Sequence, residues 1–170
     1  MPRNQSVSTR AIPPPANGNG NIGNLILLAL PSEESTQLLP ELEFVRLNLH
    51  HVMHEATEVI RSAYFMNNGM ASVLTVQPDG RSVEVGLIGK EGFVGLPIIF
   101  GFKTSPLRII TQGDGTAYRA DVPTLKKLLP TCPQLEKQLQ RFSMILAMQS
   151  TQLAACNRFR SQCPPFLVVH

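Results

Sequence analysis

"SVLTVQPDGRSVEVGLIGKEGFVGLPIIFG", residues 72–101, decides the fold. Its first half is two β-rich runs around a Pro-Asp-Gly centre, which predicts a hairpin. Its second half, Gly89 to Gly101, packs four glycines and a proline into thirteen residues. Such a loop is either a cradle whose backbone N–H groups meet a phosphate or a tight corner that needs glycine for its backbone freedom. Working outward, short alternating segments continue on both sides: "EFVRLNL", "HHVMHE" and "EVIRSAYFM" before it, "PLRIITQ" and "TAYRADV" after it. Turn residues punctuate them at 67–69, 78–80 and 113–115. Short strands at regular spacing predict an antiparallel sandwich or barrel rather than βαβ units.

The flanks have a different character. Residues 1–22 are rich in Pro, Asn, Gly and Ser ("AIPPPANGNGN") and bury too little apolar surface to offset their ordering entropy, so a disordered tail is expected. The apolar cluster Ile22–Leu30 and then "PSEESTQLLPEL", with Ser32 as the expected N-cap and Leu38 and Leu39 as the buried side, predict two short helices leading into the strands. After Pro123 the period shifts. "PTLKKLLP" is a helical turn or two, and Pro133 opens a segment without Gly or Pro through Gln162. Leu135, Leu139, Phe142, Leu146, Gln149 and Leu153 fall at a 4-3-4-3-4 spacing, a heptad-like seam that predicts dimerisation between long helices. The alternative is a helix that packs back on its own barrel. Two prolines stop it near 163. The expected organisation is a tail at 1–22, a mainly β domain with N-terminal helices at 23–131, a long helix at 132–160 and an irregular tail at 161–170.

Composition narrows the function. Of the 170 residues 43% are hydrophobic, and no apolar run approaches the roughly 18 residues of a membrane span. A cytoplasmic protein with no membrane partner is expected. The net charge of +3 is no nucleic-acid footprint by itself. Cys132, Cys156 and Cys163 match no zinc pattern and read as free thiols in a reducing compartment. On a strand, His50 and His54 share a face while His51 points away. With Glu55 they faintly resemble a cupin metal motif without its glycine-rich setting, and partly exposed strand histidines are the simpler reading. No nucleophile elbow, Walker loop or His-Glu-x-x-His motif occurs, so no enzyme is expected.

The order of elements, with "YFMNNG" (64–69), "DGRSVEVGLIGKEGFVGLPIIFG" (79–101), "SPLRII" (105–110) and "AACNR" (154–158), resembles the Crp/Fnr-type transcription regulators over residues 25–158. The likeness is to their N-terminal effector domain. It implies a cyclic nucleotide-binding-like antiparallel β jelly roll, mainly β with flanking helices, followed by a long C-terminal dimerisation helix. It places the ligand cassette at Gly92, Phe93, Gly95, Leu96, Arg108 and Ile109. In binders of that family a glutamate takes the ribose hydroxyl and an arginine the cyclic phosphate. Here the glutamate position holds Leu96, Pro97 removes a backbone N–H, and Ile109 replaces a small polar residue. Losing a charged acceptor costs on the order of 1.5–3 kcal/mol. The expectation is therefore no resident cofactor and a sensor of an unknown small-molecule effector that is not a classical cyclic AMP binder. A stand-alone module with weak anion or cyclic nucleotide binding is the alternative.

The resemblance further implies a winged helix-turn-helix after "ACNR", where the chain instead turns to "RSQCPPFLVVH". A truncated regulator is expected, without sequence-specific DNA binding of its own. It would form a homodimer through the long helix, or a heterodimer with full-length paralogues.

Overall fold

The structure is a computed structural model. It describes residues 22–77 and 79–158, with side chains through Gln152. The expected tails therefore lie outside the described residues, apart from Ile22, as do the end of the long helix at 159–160 and the side chain of Leu153.

Eight antiparallel strands are found among the described residues, in two four-stranded sheets. They are β1 (Glu43–Leu47), β2 (Val52–His54), β3 (Ser62–Asn68), β4 (Ala71–Val76), β5 (Ser82–Ile88), β6 (Phe93–Val94), β7 (Leu107–Thr111) and β8 (Gly115–Asp121). One sheet runs β1-β8-β3-β6 and the other β2-β7-β4-β5. Apart from the β4–β5 pair, consecutive strands thus cross between the layers, which makes a jelly roll. The expected hairpin joins β4 to β5, with Val76 opposite Ser82 and the Gln77 N–H donating to the Arg81 carbonyl at 2.8 Å. Gly80 takes a φ of 85°, the left-handed backbone that such a turn demands.

The core lies between the sheets. Phe65 on β3 and Phe93 on β6 are register partners with ring centroids 4.8 Å apart, and both are fully buried. Five successive residues of β3, Ala63 to Asn67, are buried. One face of that strand meets the opposite sheet, and helix α4 (Val122–Leu128) lies against β3 and β8.

The two short N-terminal helices are α1 (Leu25–Leu28) and α2 (Ser32–Leu38). The expected N-cap shifts by one residue: Pro31 holds the cap position and Ser32 is the first helical residue, with no side-chain cap bond. Asn24 caps α1 instead. Its Oδ1 accepts from the Leu27 N–H, and its Nδ2 faces the carbonyls of Met66, Lys90 and Gly92 at 2.9–3.1 Å. A fully buried amide thus ties α1 to β3 and to the β5–β6 turn.

The long helix α5 runs Pro133–Arg158. Its start is set from far away in sequence. The Glu34 carboxylate accepts from the Gln134 and Leu135 backbone N–H groups, both at 2.9 Å, which satisfies two orphan donors of the first turn. Leu135, Leu139 and Phe142 are buried against the chain's own fold and Leu146 is half-buried, while Gln149 is exposed. The heptad-like seam therefore packs back on the jelly roll over its first four positions rather than standing free for a partner. The reason lies in two glycines. A Cβ at Gly92 would sit 2.7 Å from Phe142 Cζ, and one at Gly86 would sit 3.2 Å from Leu146 Cδ1. Their missing side chains let α5 lie directly on β5 and the turn after it. The Ser150 hydroxyl, 2.9 Å from the Val85 carbonyl, fastens the next turn of the helix. Among the described residues the exposed large apolar side chains of α5 are Met144, Ile145 and Met148, at 64%, 44% and 66% exposure.

Candidate ligand pocket

The loop of four glycines resolves into corners and a helix seat. Gly89 lies in the tight turn whose Gly92 N–H returns to the Gly89 carbonyl at 2.9 Å, and Gly92 leaves room for Phe142. Gly95 has a φ of 128° and caps the four-residue helix α3 (Leu96–Ile99), and its Cβ would strike that of Ala63 at 2.8 Å. Gly101, at φ 84°, ends α3. Pro97, in the first turn of this four-residue helix, removes one of the backbone N–H groups that its N-terminus could offer an anion.

Behind this loop lies a cavity of about 380 Å³ between the sheets, α3 and α5. Phe93, Gly95, Leu96, Leu107 and Ile109 line it, with Val73, Ile88 and Leu146 deeper in and the exposed Phe100 and Phe102 at its rim. Of the expected cassette residues, Phe93, Gly95, Leu96 and Ile109 thus meet in one wall. Gly92 and Arg108 do not join them. Strand alternation explains the arginine: Leu107 and Ile109 face the cavity, so Arg108 between them faces away. Its Nε lies 3.3 Å from Glu55 Oε2, in an ionic contact without hydrogen-bond alignment. Among the described residues no lysine, arginine, aspartate or glutamate lines the pocket.

His54 also lines it, which reading the sequence missed. The histidines do not share a strand face as expected. His50 sits in a turn with φ 60°, while His54 lies on β2 opposite Ile109 and is buried. His54 Nε2 is 3.0 Å from the Ser62 carbonyl. Burial lowers its pKa from the ordinary histidine value, with the Ser62 bond opposing, and so favours a neutral ring. Among the described residues no group of three or more His, Cys, Asp or Glu could hold a metal ion. Cys132 is a buried free thiol, and the side chains of Cys156 and Cys163 lie outside the described residues. No described helix is long and apolar enough to cross a membrane.

Two sheets enclosing an apolar pocket, closed by a long helix, make a ligand-binding type of jelly roll. The chain belongs to the cyclic nucleotide-binding domain family, whose model matches residues 44–132, more than half of its length. No curated protein matches it. Its fold is similar to that of the c-di-GMP-responsive global regulator CLP of Xanthomonas campestris, at 16% identity and a TM-score of 0.66 over 76% of this chain and 65% of that one. It is also similar to the regulatory subunit of a cAMP-independent protein kinase A from Trypanosoma brucei, at 18% identity and a TM-score of 0.62 over 73% of this chain and 45% of that one. The CO-dependent transcription factor CooA of Carboxydothermus hydrogenoformans gives 14% identity and a TM-score of 0.61 over 84% of this chain and 60% of that one. The chain thus spans less than two thirds of the length of each of these three neighbours.

Proposed function

We propose that this chain is the effector-sensing domain of a Crp/Fnr-like transcription regulator, without enzymatic activity, and that its effector is not a cyclic nucleotide. The observation that supports the reading is the pocket lined by Phe93, Gly95, Leu96 and Ile109, with no cation among the described residues of its wall. A cyclic phosphate placed there would give up its hydration with no opposite charge to meet it, a cost several times that of a neutral polar group. The fold neighbours include proteins described as c-di-GMP-responsive, CO-dependent and cAMP-independent, which supports a jelly roll that different effectors can address.

Calorimetric titration with cyclic AMP and cyclic GMP tests this. No heat of binding is expected up to millimolar nucleotide. Micromolar binding would mean that Arg108 swings off Glu55 into the pocket, and the reading would be wrong.

The sensor acts as a homodimer in this reading, but through a different face of α5 from the one its heptad-like spacing suggests. Leu135, Leu139 and Phe142 are spent on the chain's own core, so the pairing surface is the stripe of Met144, Ile145 and Met148. Met148 lies about one helical turn beyond both Met144 and Ile145, so the three form an apolar patch suited to a helix-to-helix contact. Light scattering should give twice the 18.7 kDa chain mass for the wild type and a single chain mass for Met148→Glu. A monomeric wild type, or a variant that stays dimeric, would rule this face out.

A further inference from the structure

We propose that the pocket behind α3 binds a neutral, apolar ring compound, held by its carbon surface and covered at the mouth by Phe100 and Phe102. The proposal rests on the reading of this pocket as the effector site and adds the chemistry of the effector. Access comes from the rim. Leu96 and Pro97 on α3, Leu107 on β7 and Leu146 on α5 are pocket residues that are only half-buried. Phe100 and Phe102 beside them stand at 52% and 65% exposure. The surface that an entering molecule meets is thus mostly hydrocarbon, and covering it is favourable. The two rings gain most, because each has a large apolar area still in water. Nothing lies within 4 Å of where a Cβ would stand at Gly101 between them, so this corner is not packed in place.

The polar side chains of the wall call for no charge on the occupant. They are His54, Thr104 and Ser105 among the described residues. His54 is buried and turned to the Ser62 carbonyl, and its burial favours the neutral ring. Ser105 is buried too, and its Oγ accepts from the Leu107 N–H at 3.1 Å. Thr104 is exposed and stays wetted. A carboxylate or phosphate would therefore lose its water without meeting a cation. Size sets the other limit. The volume of about 380 Å³ stands at the lower end of small-molecule sites, roughly 300–1,000 Å³. A partner's helix, about 10–12 Å across with its side chains, is too wide for such a cavity, whereas one or two fused rings fit it.

Three naphthalenes separate these features on one ring system. 1-Methylnaphthalene is apolar, 1-naphthol replaces the methyl with a hydroxyl, and 1-naphthoate is an anion. Equilibrium dialysis against the 170-residue chain reads their affinities. The methyl compound should bind about threefold more tightly than the naphthol, and about a hundredfold more tightly than the naphthoate. Phe102→Ala should weaken 1-methylnaphthalene about tenfold. Leu107→Trp should abolish its binding by filling the cavity. Should the tryptophan variant fail to fold, the exposed Phe102 position decides alone. Naphthol binding the tighter overturns a site held by carbon surface, and naphthoate binding as well as the methyl compound overturns the neutral site. Unchanged affinity in Phe102→Ala, or in a folded Leu107→Trp, overturns the pocket as the place of binding. If none of the three binds, this ligand class is wrong while the sensor reading stands. Binding of cyclic AMP would instead overturn both.

Discussion

Asn24→Ala lowers the stability of this domain by about 3 kcal/mol, a drop in Tm of roughly 6–12 °C for a chain of this size. The size follows from what one side chain does. Asn24 is fully buried, caps α1 through Oδ1, and offers Nδ2 to three carbonyls from two other parts of the chain. One of them, Met66, sits where the β3–β8 register shifts, so the regular ladder is interrupted beside it. Removing the amide leaves buried polar groups without partners and frees α1 from the β5–β6 turn. Asn24→Asp separates the two roles. It keeps the cap acceptor but turns a carboxylate toward three carbonyl oxygens, so it should cost at least as much as alanine. Thermal unfolding followed by circular dichroism reads both. An aspartate variant as stable as the wild type would show that the cap alone matters and that the amide's link to β3 and the turn is unimportant.

The second large effect is at Gly92. A Cβ there would lie 2.5 Å from Ile88 Cγ2 and 2.7 Å from Phe142 Cζ, closer than carbon atoms approach. Gly92→Ala should cost about 1–3 kcal/mol by forcing the ring of Phe142, and α5 with it, off its seat. Phe142→Ala should cost about 3–5 kcal/mol through the cavity it opens. The double variant should cost less than the sum, because the new methyl enters space the ring has left. Denaturant melts of the four proteins give the coupling. Strict additivity would mean that α5 does not rest on Gly92.

These two positions show what the chain's pattern makes legible. Alternation in 42–121 and turn residues at Gly69, Gly80 and Gly113–Gly115 are local signals, and they predict seven of the eight strands; β6, two residues long, lies inside the glycine-rich stretch that read as a loop. Pro133 marks the start of α5 for the same reason. The face of that helix is a different matter. A 4-3-4 spacing of apolar residues is the same whether the helix meets a second copy or its own barrel, so spacing alone does not orient it. The orienting signal lies in another element: Gly86, inside a β-rich run, and Gly92, in the glycine-rich loop, whose part in seating the helix shows only when β5 and α5 are brought together. Arg108 is a nearer miss. Leu107 and Ile109 flank it as an apolar pair, and that parity already turns the arginine out of the pocket. Asn24 and Glu34 had no local signal at all, since their partners outside their own helices lie 42–101 residues away. His54 was hidden by its neighbours. Three histidines in five positions suggest a cluster, whereas one lies in a turn and another lines the pocket.

Sensing requires that the pocket's occupant be felt by the helix that would pair. Leu146 is the direct link, lining the pocket from α5 while contacting Gly86, and Ile88 lines the same pocket beside the Gly92–Phe142 seat. An occupant that packs on Leu146 holds α5 more firmly to the jelly roll. Amide hydrogen exchange across residues 133–152, with the pocket empty and with it saturated by a ligand, measures this directly. The account predicts that exchange between Phe142 and Ser150 slows several-fold on saturation, while the exposed hairpin at Gln77–Arg81 is unchanged. Unchanged exchange along α5 in a protein whose pocket is filled would contradict it, because the pocket would then bind without informing the helix.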